Sequence, residues 1–182
     1  MRLDAPRITP LHEDKWSEEQ IAVFTPQMIG GTVINLFRIL ANHVKLAKRW
    51  FLFSNHIMAK ATLPLRDREI LILRIGWLCQ SEYEWGQHVI IGKNCGLTDV
   101  EIANIKTGAD VADWSSHDAM LIKAVDELHA DAFISDDTWQ GLKETYSDQQ
   151  MMDLVFTVGQ YNMVSMALNS FGVQLDPFIE GF

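Results

Sequence analysis

From residue 65 to residue 176 the chain contains no proline, its five prolines lying at positions 6, 10, 26, 64 and 177. Inside a helix a proline removes a backbone hydrogen bond and clashes with the preceding turn, so a long proline-free run leaves room for helix after helix. The start signals for such helices are present. Ser17-Glu-Glu-Gln20, Thr98-Asp-Val-Glu101 and Ser147-Asp-Gln-Gln150 each set a hydroxyl three residues before a Glu or Gln, the pattern of a capping box. Gly96 after Lys93-Asn94-Cys95 and Gly108 after Lys106-Thr107 suit the left-handed residue that closes a helix. Strand alternation is nowhere sustained. The pattern predicts helices over 17–24, 35–41, 43–60, 66–79, 82–94, 98–106, 116–130, 135–145 and 147–171, after an extended N-terminal arm over 1–15 that holds Pro6 and Pro10. The expected class is all-α, a single-domain multi-helix bundle spanning 1–182, with no internal repeat or linker.

A chain of 182 residues can bury a substantial core without metals or disulfides. Its formal net charge of −9, from 15 basic and 24 acidic residues, argues against nucleic acid as a partner, because that affinity comes largely from Lys and Arg displacing counterions. The longest apolar run, around Ile70–Cys79, is interrupted by Arg74 well short of a membrane span, and a soluble cytoplasmic protein is expected. Cys79 and Cys95 stand sixteen apart, too far for a dithiol redox motif or a close zinc pair, and are expected to be buried thiols. In the last helix Met151, Leu154, Phe156, Val158, Met163, Met166 and Leu168 leave little of the circumference polar. Such a helix is buried on several sides. That predicts a homo-oligomer with this helix at or near the interface, the alternative being a central core helix in a monomer.

The chemistry concentrates in residues 66–95. Glu69 lies in the first turns of a largely buried helix, where it could stabilise the helix start or pair with Arg66 or Arg68. In the next helix Glu84 and His88 are four apart and share a face, flanked by Ser81 and Trp85. A carboxylate beside an imidazole fixes its tautomer and raises its basicity, which suits proton transfer. Ser81-Glu-Tyr-Glu84 can equally be a capping box, with Glu84 folding back onto the Ser81 amide. One Glu-x-x-x-His pair supplies only two metal ligands, so no metal is expected. His43 and His56 are further candidates to approach the cluster. Gly86 costs about 1 kcal/mol relative to Ala in a helix interior and therefore points to a close-packed neighbour or ligand.

On Leu65-Arg66-Asp67-Arg68-Glu69 and Glu82-Tyr83-Glu84-Trp85-Gly86-Gln87-His88, with Arg7-Ile8-Thr9-Pro10-Leu11, Asn35-Leu36-Phe37-Arg38 and Phe156-Thr157-Val158-Gly159-Gln160-Tyr161-Asn162, the chain resembles the carboxymuconolactone decarboxylase family, which includes the alkyl hydroperoxidase D-like proteins. The resemblance implies an all-helical bundle assembling into trimers or hexamers. In the hydroperoxidase branch a glutamate, a Cys-x-x-Cys pair and a histidine form a relay. Here Glu69 and His88 match the glutamate and histidine, while Ser81 and Glu84 stand where the cysteines would be. Peroxidase chemistry needs both sulfurs, and Cys79 alone cannot replace them.

The decarboxylase branch implies instead a cofactor-free acid-base enzyme, a lyase of aromatic-compound catabolism, acting on a small carboxylated or lactone compound. In that reading His88 is the acid-base residue, Glu84 its partner and Glu69 a supporting or relaying carboxylate, with Ser81, Tyr83, Trp85 and Cys79 as substrate-binding candidates. Arg66, Arg68 and Arg74 are the cations near enough in sequence to hold a substrate carboxylate. Two other readings stay open: an alkyl hydroperoxidase-like oxidoreductase, and a non-catalytic helical oligomer.

Overall fold

All three capping boxes outside the 81–84 stretch form. In the computed structural model, which describes residues 2–28 and 31–182, Ser17, Thr98 and Ser147 each accept from the amide three residues on, while Gln20, Glu101 and Gln150 return the bond. The helices are α1 (Glu18–Phe24), α2 (Asn35–Leu40), α3 (Val44–Ala59), α4 (Leu65–Leu78), α5 (Glu82–Asn94), α6 (Asp99–Thr107), α7 (Ser116–Asp131), α8 (Asp136–Lys143) and α9 (Asp148–Phe171). Their ends match the predicted ranges to within two residues, and no strand occurs among the described residues. Gly96 and Gly108 carry φ of +97° and +121°, as their places after α5 and α6 require.

α4 is the axis of the bundle. Every residue from Asp67 to Gly76 is buried, because α5, α7 and α9 pack around it. The charged residues of that stretch are therefore inside the protein and must find partners there. The N-terminal arm holds one 3-10 turn, Glu13–Lys15, and is otherwise irregular. It crosses the end of α9, where the Arg7 amide donates to the Phe171 carbonyl at 2.8 Å, and reaches α2, where the Leu11 amide donates to the Arg38 carbonyl at 2.9 Å. After Gly172 the C-terminal tail returns over α5.

α9 buries Met151, Leu154, Val158, Tyr161, Val164 and Leu168 on one side. Its other side leaves Met152 61%, Phe156 54%, Met163 49% and Met166 59% exposed, so a single chain covers only part of the circumference that the sequence marks as apolar. No helix among the described residues is long and apolar enough to cross a membrane.

Candidate active site

The turn between α4 and α5 decides what Glu84 does. The Ser81 amide donates to the Gly76 carbonyl and the Gln80 amide to the Trp77 carbonyl, both at 2.9 Å, with Gln80 at φ +50°. This is a Schellman closure with glutamine in the left-handed position where glycine is usual. It consumes the Ser81 N–H, so the capping box expected over Ser81-Glu-Tyr-Glu84 does not form. Ser81 makes no side-chain cap, and its buried hydroxyl has no partner among the described residues. Glu84 is left free to turn inward.

It turns to His88. The His88 Nε2 lies 3.0 Å from Glu84 Oε1, and the Nδ1 lies 2.6 Å from Glu69 Oε2. Glu69 in turn receives the Arg68 Nε at 2.8 Å, and Arg68 also donates to the Met58 carbonyl. The sequence Arg68, Glu69, His88, Glu84 thus alternates in sign along a buried line. Burial alone would lower the His88 pKa, but the charge and hydrogen bond of Glu69, with those of Glu84, outweigh it and raise the value to about 10. Burial alone would raise the Glu69 pKa, yet His88 and Arg68 hold its carboxyl below the usual range. At neutral pH the imidazole is therefore a cation between two carboxylates, both of its nitrogens engaged. The Tyr161 ring stands edge-on to it with centroids 4.9 Å apart.

Glu84 and His88 line a cavity of about 170 Å³, and Glu69, with no exposed surface, lies behind them. The apolar wall comes from α2, α3 and α9 and includes Leu36, Phe37, Trp50, Met58, Tyr161 and Val164. Tyr83 also lines it, its hydroxyl donating to Asp176 at 2.6 Å and accepting from the Leu36 amide. Asp176 accepts from the Asn35 amide and from Gln87 as well, so the buried tail carboxylate ties α2, α5 and Tyr83 together.

The other substrate-binding candidates lie off the cavity. Trp85 packs against Trp77 and Phe182, with the Lys106 amine 4.9 Å from its ring centroid. Cys79 donates to the Asn162 side chain, and burial pushes its thiol pKa up, the opposite of a reactive thiolate. Ser81 is sealed in the turn. Both cysteines are free thiols. Gly86 serves a close neighbour, since a Cβ there would come within 2.4 Å of the Glu180 carbonyl oxygen.

His43 caps α3 and His56 meets Asp153 near the surface, and neither joins the cluster. Arg66 is taken by Asp118 and Glu101, and Arg74 by Asp126 and the carbonyls of Ile105 and Lys106. With Arg68 on Glu69, no arginine of α4 is available to a ligand carboxylate. Among the described residues no group of three or more His, Cys, Asp or Glu is arranged to hold a metal ion.

Residues 45–126 match the model of the carboxymuconolactone decarboxylase family. No curated protein sequence matches the chain. Among solved structures, the alkylhydroperoxidase AhpD core of an uncharacterized peroxidase-related protein from Ralstonia eutropha JMP134 superposes with a TM-score of 0.76 at 17% identity, covering 97% of this chain and 92% of that one. An uncharacterized peroxidase-related protein from Silicibacter sp. TM1040 does so with 0.75 at 16%, over 97% and 92%. The debrominase Bmp8 in complex with 2,3,4-tribromopyrrole gives 0.76 at 12%, over 96% and 94%. At such identities what is shared is the fold.

Proposed function

We propose that this protein, which belongs to the carboxymuconolactone decarboxylase family through residues 45–126, is a cofactor-free acid-base enzyme in which Glu84 and His88 move a proton at carbon next to a carbonyl. The observation that carries this reading is the buried Glu69–His88–Glu84 line ending on a mainly apolar cavity. Its outermost base is Glu84. The carboxylate takes the proton from carbon, the C–H electron pair becomes the enolate C=C bond as the carbonyl π pair moves onto oxygen, and the Glu84 carboxyl, its proton exchanged with solvent, returns one to carbon to complete the cycle. His88, held as a cation, stabilises the carboxylate at rest and can pass a proton to it through Nε2. Glu69 and Arg68 fix the imidazole ring and balance its charge.

The thiol route has less support. Its two sulfur positions hold Ser81 and Glu84, and Cys79 is engaged with Asn162. The exposed stripe of Met152, Phe156, Met163 and Met166 supports self-association through α9. The test of the catalytic reading is hydrogen exchange at carbon: the protein in D2O with uncharged cyclic ketones and lactones, followed by loss of the α-proton NMR signal. Exchange at the buffer rate would defeat the proposal.

A further inference from the structure

Gln160 is 3% exposed, lines the same cavity, and its side-chain oxygen has no hydrogen-bond partner among the described residues. A buried amide oxygen left unpaired destabilises the protein that carries it, unless something else supplies the donor. It sits one residue before Tyr161, whose ring backs His88. Gln160 therefore shares its cavity with Glu84 and His88.

The charges of the cavity limit the ligands it can take. No lysine or arginine lines it among the described residues. Arg66, Arg68 and Arg74 are paired, and both His88 nitrogens face carboxylates. An entering anion would lose its hydration, meet no cation free to replace it, and approach the Glu84 carboxylate. The volume of about 170 Å³ fits a single ring with small substituents.

We infer that Gln160 is the specificity-determining residue of this cavity, accepting a hydrogen bond from the O–H or N–H of an uncharged single-ring ligand, and that the cavity rejects carboxylates. The inference rests on the acid-base reading for the location of the site, but its test needs no turnover. It also narrows the carboxylated or lactone class that the sequence suggests to the uncharged part of it.

Three probes of similar size separate the possibilities by titration calorimetry at pH 7: phenol, which donates, anisole, which does not, and benzoate, which is charged. Wild type is expected to bind phenol about fivefold more tightly than anisole, the scale of one neutral hydrogen bond, and to show no saturable binding of benzoate. In Gln160→Met the phenol-to-anisole ratio falls to about one while Tm stays level or rises, because an unpaired oxygen has been removed. A merely structural Gln160 would instead lower Tm and leave the ratio unchanged.

If the variant does not fold, the side-chain amide resonance of Gln160 in wild type decides, since it must shift with phenol and not with anisole. A wild-type ratio of one, a ratio retained in Gln160→Met, or benzoate binding as tightly as phenol overturns the inference. Glu84→Gln separates the two proposals. It should abolish carbon exchange yet keep the phenol preference, so loss of exchange alone bears on the acid-base reading and loss of preference in Gln160→Met bears on this one.

Discussion

Two histidine-carboxylate clusters grow from neighbouring residues of α4, and they are put to different uses. Asp67 accepts from the Tyr146 hydroxyl at 2.6 Å and meets His117 Nε2 at 3.1 Å, while His117 Nδ1 faces the Thr145 hydroxyl. Beside it Arg66 closes on Asp118 and Glu101. These groups spend their hydrogen bonds on one another, and none of them lines the cavity that Glu84 and His88 share. Two residues along, Glu69 builds a line of the same chemistry through His88 to Glu84, and that line ends on the cavity that Gln160 also lines, its amide oxygen without a partner among the described residues. A histidine-carboxylate pair by itself therefore says little. What separates a brace from a site is whether the polar atoms are used up within the protein.

The comparison can be broken first at its carboxylates. Glu69→Ala leaves Arg68 and His88 buried without the charge between them and should cost about 3–5 kcal/mol, the range for breaking a buried ion pair. Asp67→Ala removes hydrogen bonds at a less enclosed place and should cost about 1–3 kcal/mol. Chemical denaturation checks both, and equal losses would erase the distinction between the clusters.

Protonation gives a second, smaller handle. With its pKa at about 10 in the folded chain against about 6.5 unfolded, His88 adds stability that is fully present below pH 6.5 and is lost as pH climbs through 10. Wild type should lose stability between pH 7 and 10, and Glu69→Gln should lose less over the same range. The His88 ring nitrogens should show imidazolium chemical shifts at pH 8. A neutral ring at that pH would refute the sandwiched cation.

The smallest effect separates two serines. Ser147→Ala removes a working cap and should cost about 1 kcal/mol. Ser81→Ala removes a buried hydroxyl that has no partner among the described residues and should change stability by less than about 0.5 kcal/mol. Melting curves of the two variants decide, and a full cap penalty at Ser81 would restore the capping box that the Schellman turn displaces.

Why Ser81 misleads shows how far the chain can be read from residues alone. The helices were legible because capping boxes, the proline-free run and Gly96 and Gly108 act locally, through bonds within one turn. The same local pattern at Ser81-Glu-Tyr-Glu84 fails because Gln80 adopts a left-handed conformation that no glycine announces, and the Ser81 amide goes to Gly76. The four-residue spacing put Glu84 and His88 on one face but left open whether Glu84 would meet His88 or fold back as a cap. Glu69 is nineteen residues from His88 and joins it only through the packing of α4 on α5.

Of the cavity wall, Tyr83, Glu84 and His88 on α5 were legible and the rest was not. Trp50, Tyr161 and Gln160 come from helices far apart in sequence, and Asp176 arrives with the tail. Trp85, attractive by position, is drawn away by Trp77, Phe182 and Lys106.

The central claim is that the cluster opening on the cavity moves protons and the closed one does not. It is tested most directly by carbon-deuterium exchange into an uncharged cyclic ketone, measured side by side for wild type, Glu84→Gln and Asp67→Asn. The account predicts exchange above the buffer rate in wild type, a loss of about 100-fold or more in Glu84→Gln, and a rate within about threefold of wild type in folded Asp67→Asn, since that variant removes no group from the cavity. Exchange that ignores Glu84, or that falls equally in both variants, would contradict it.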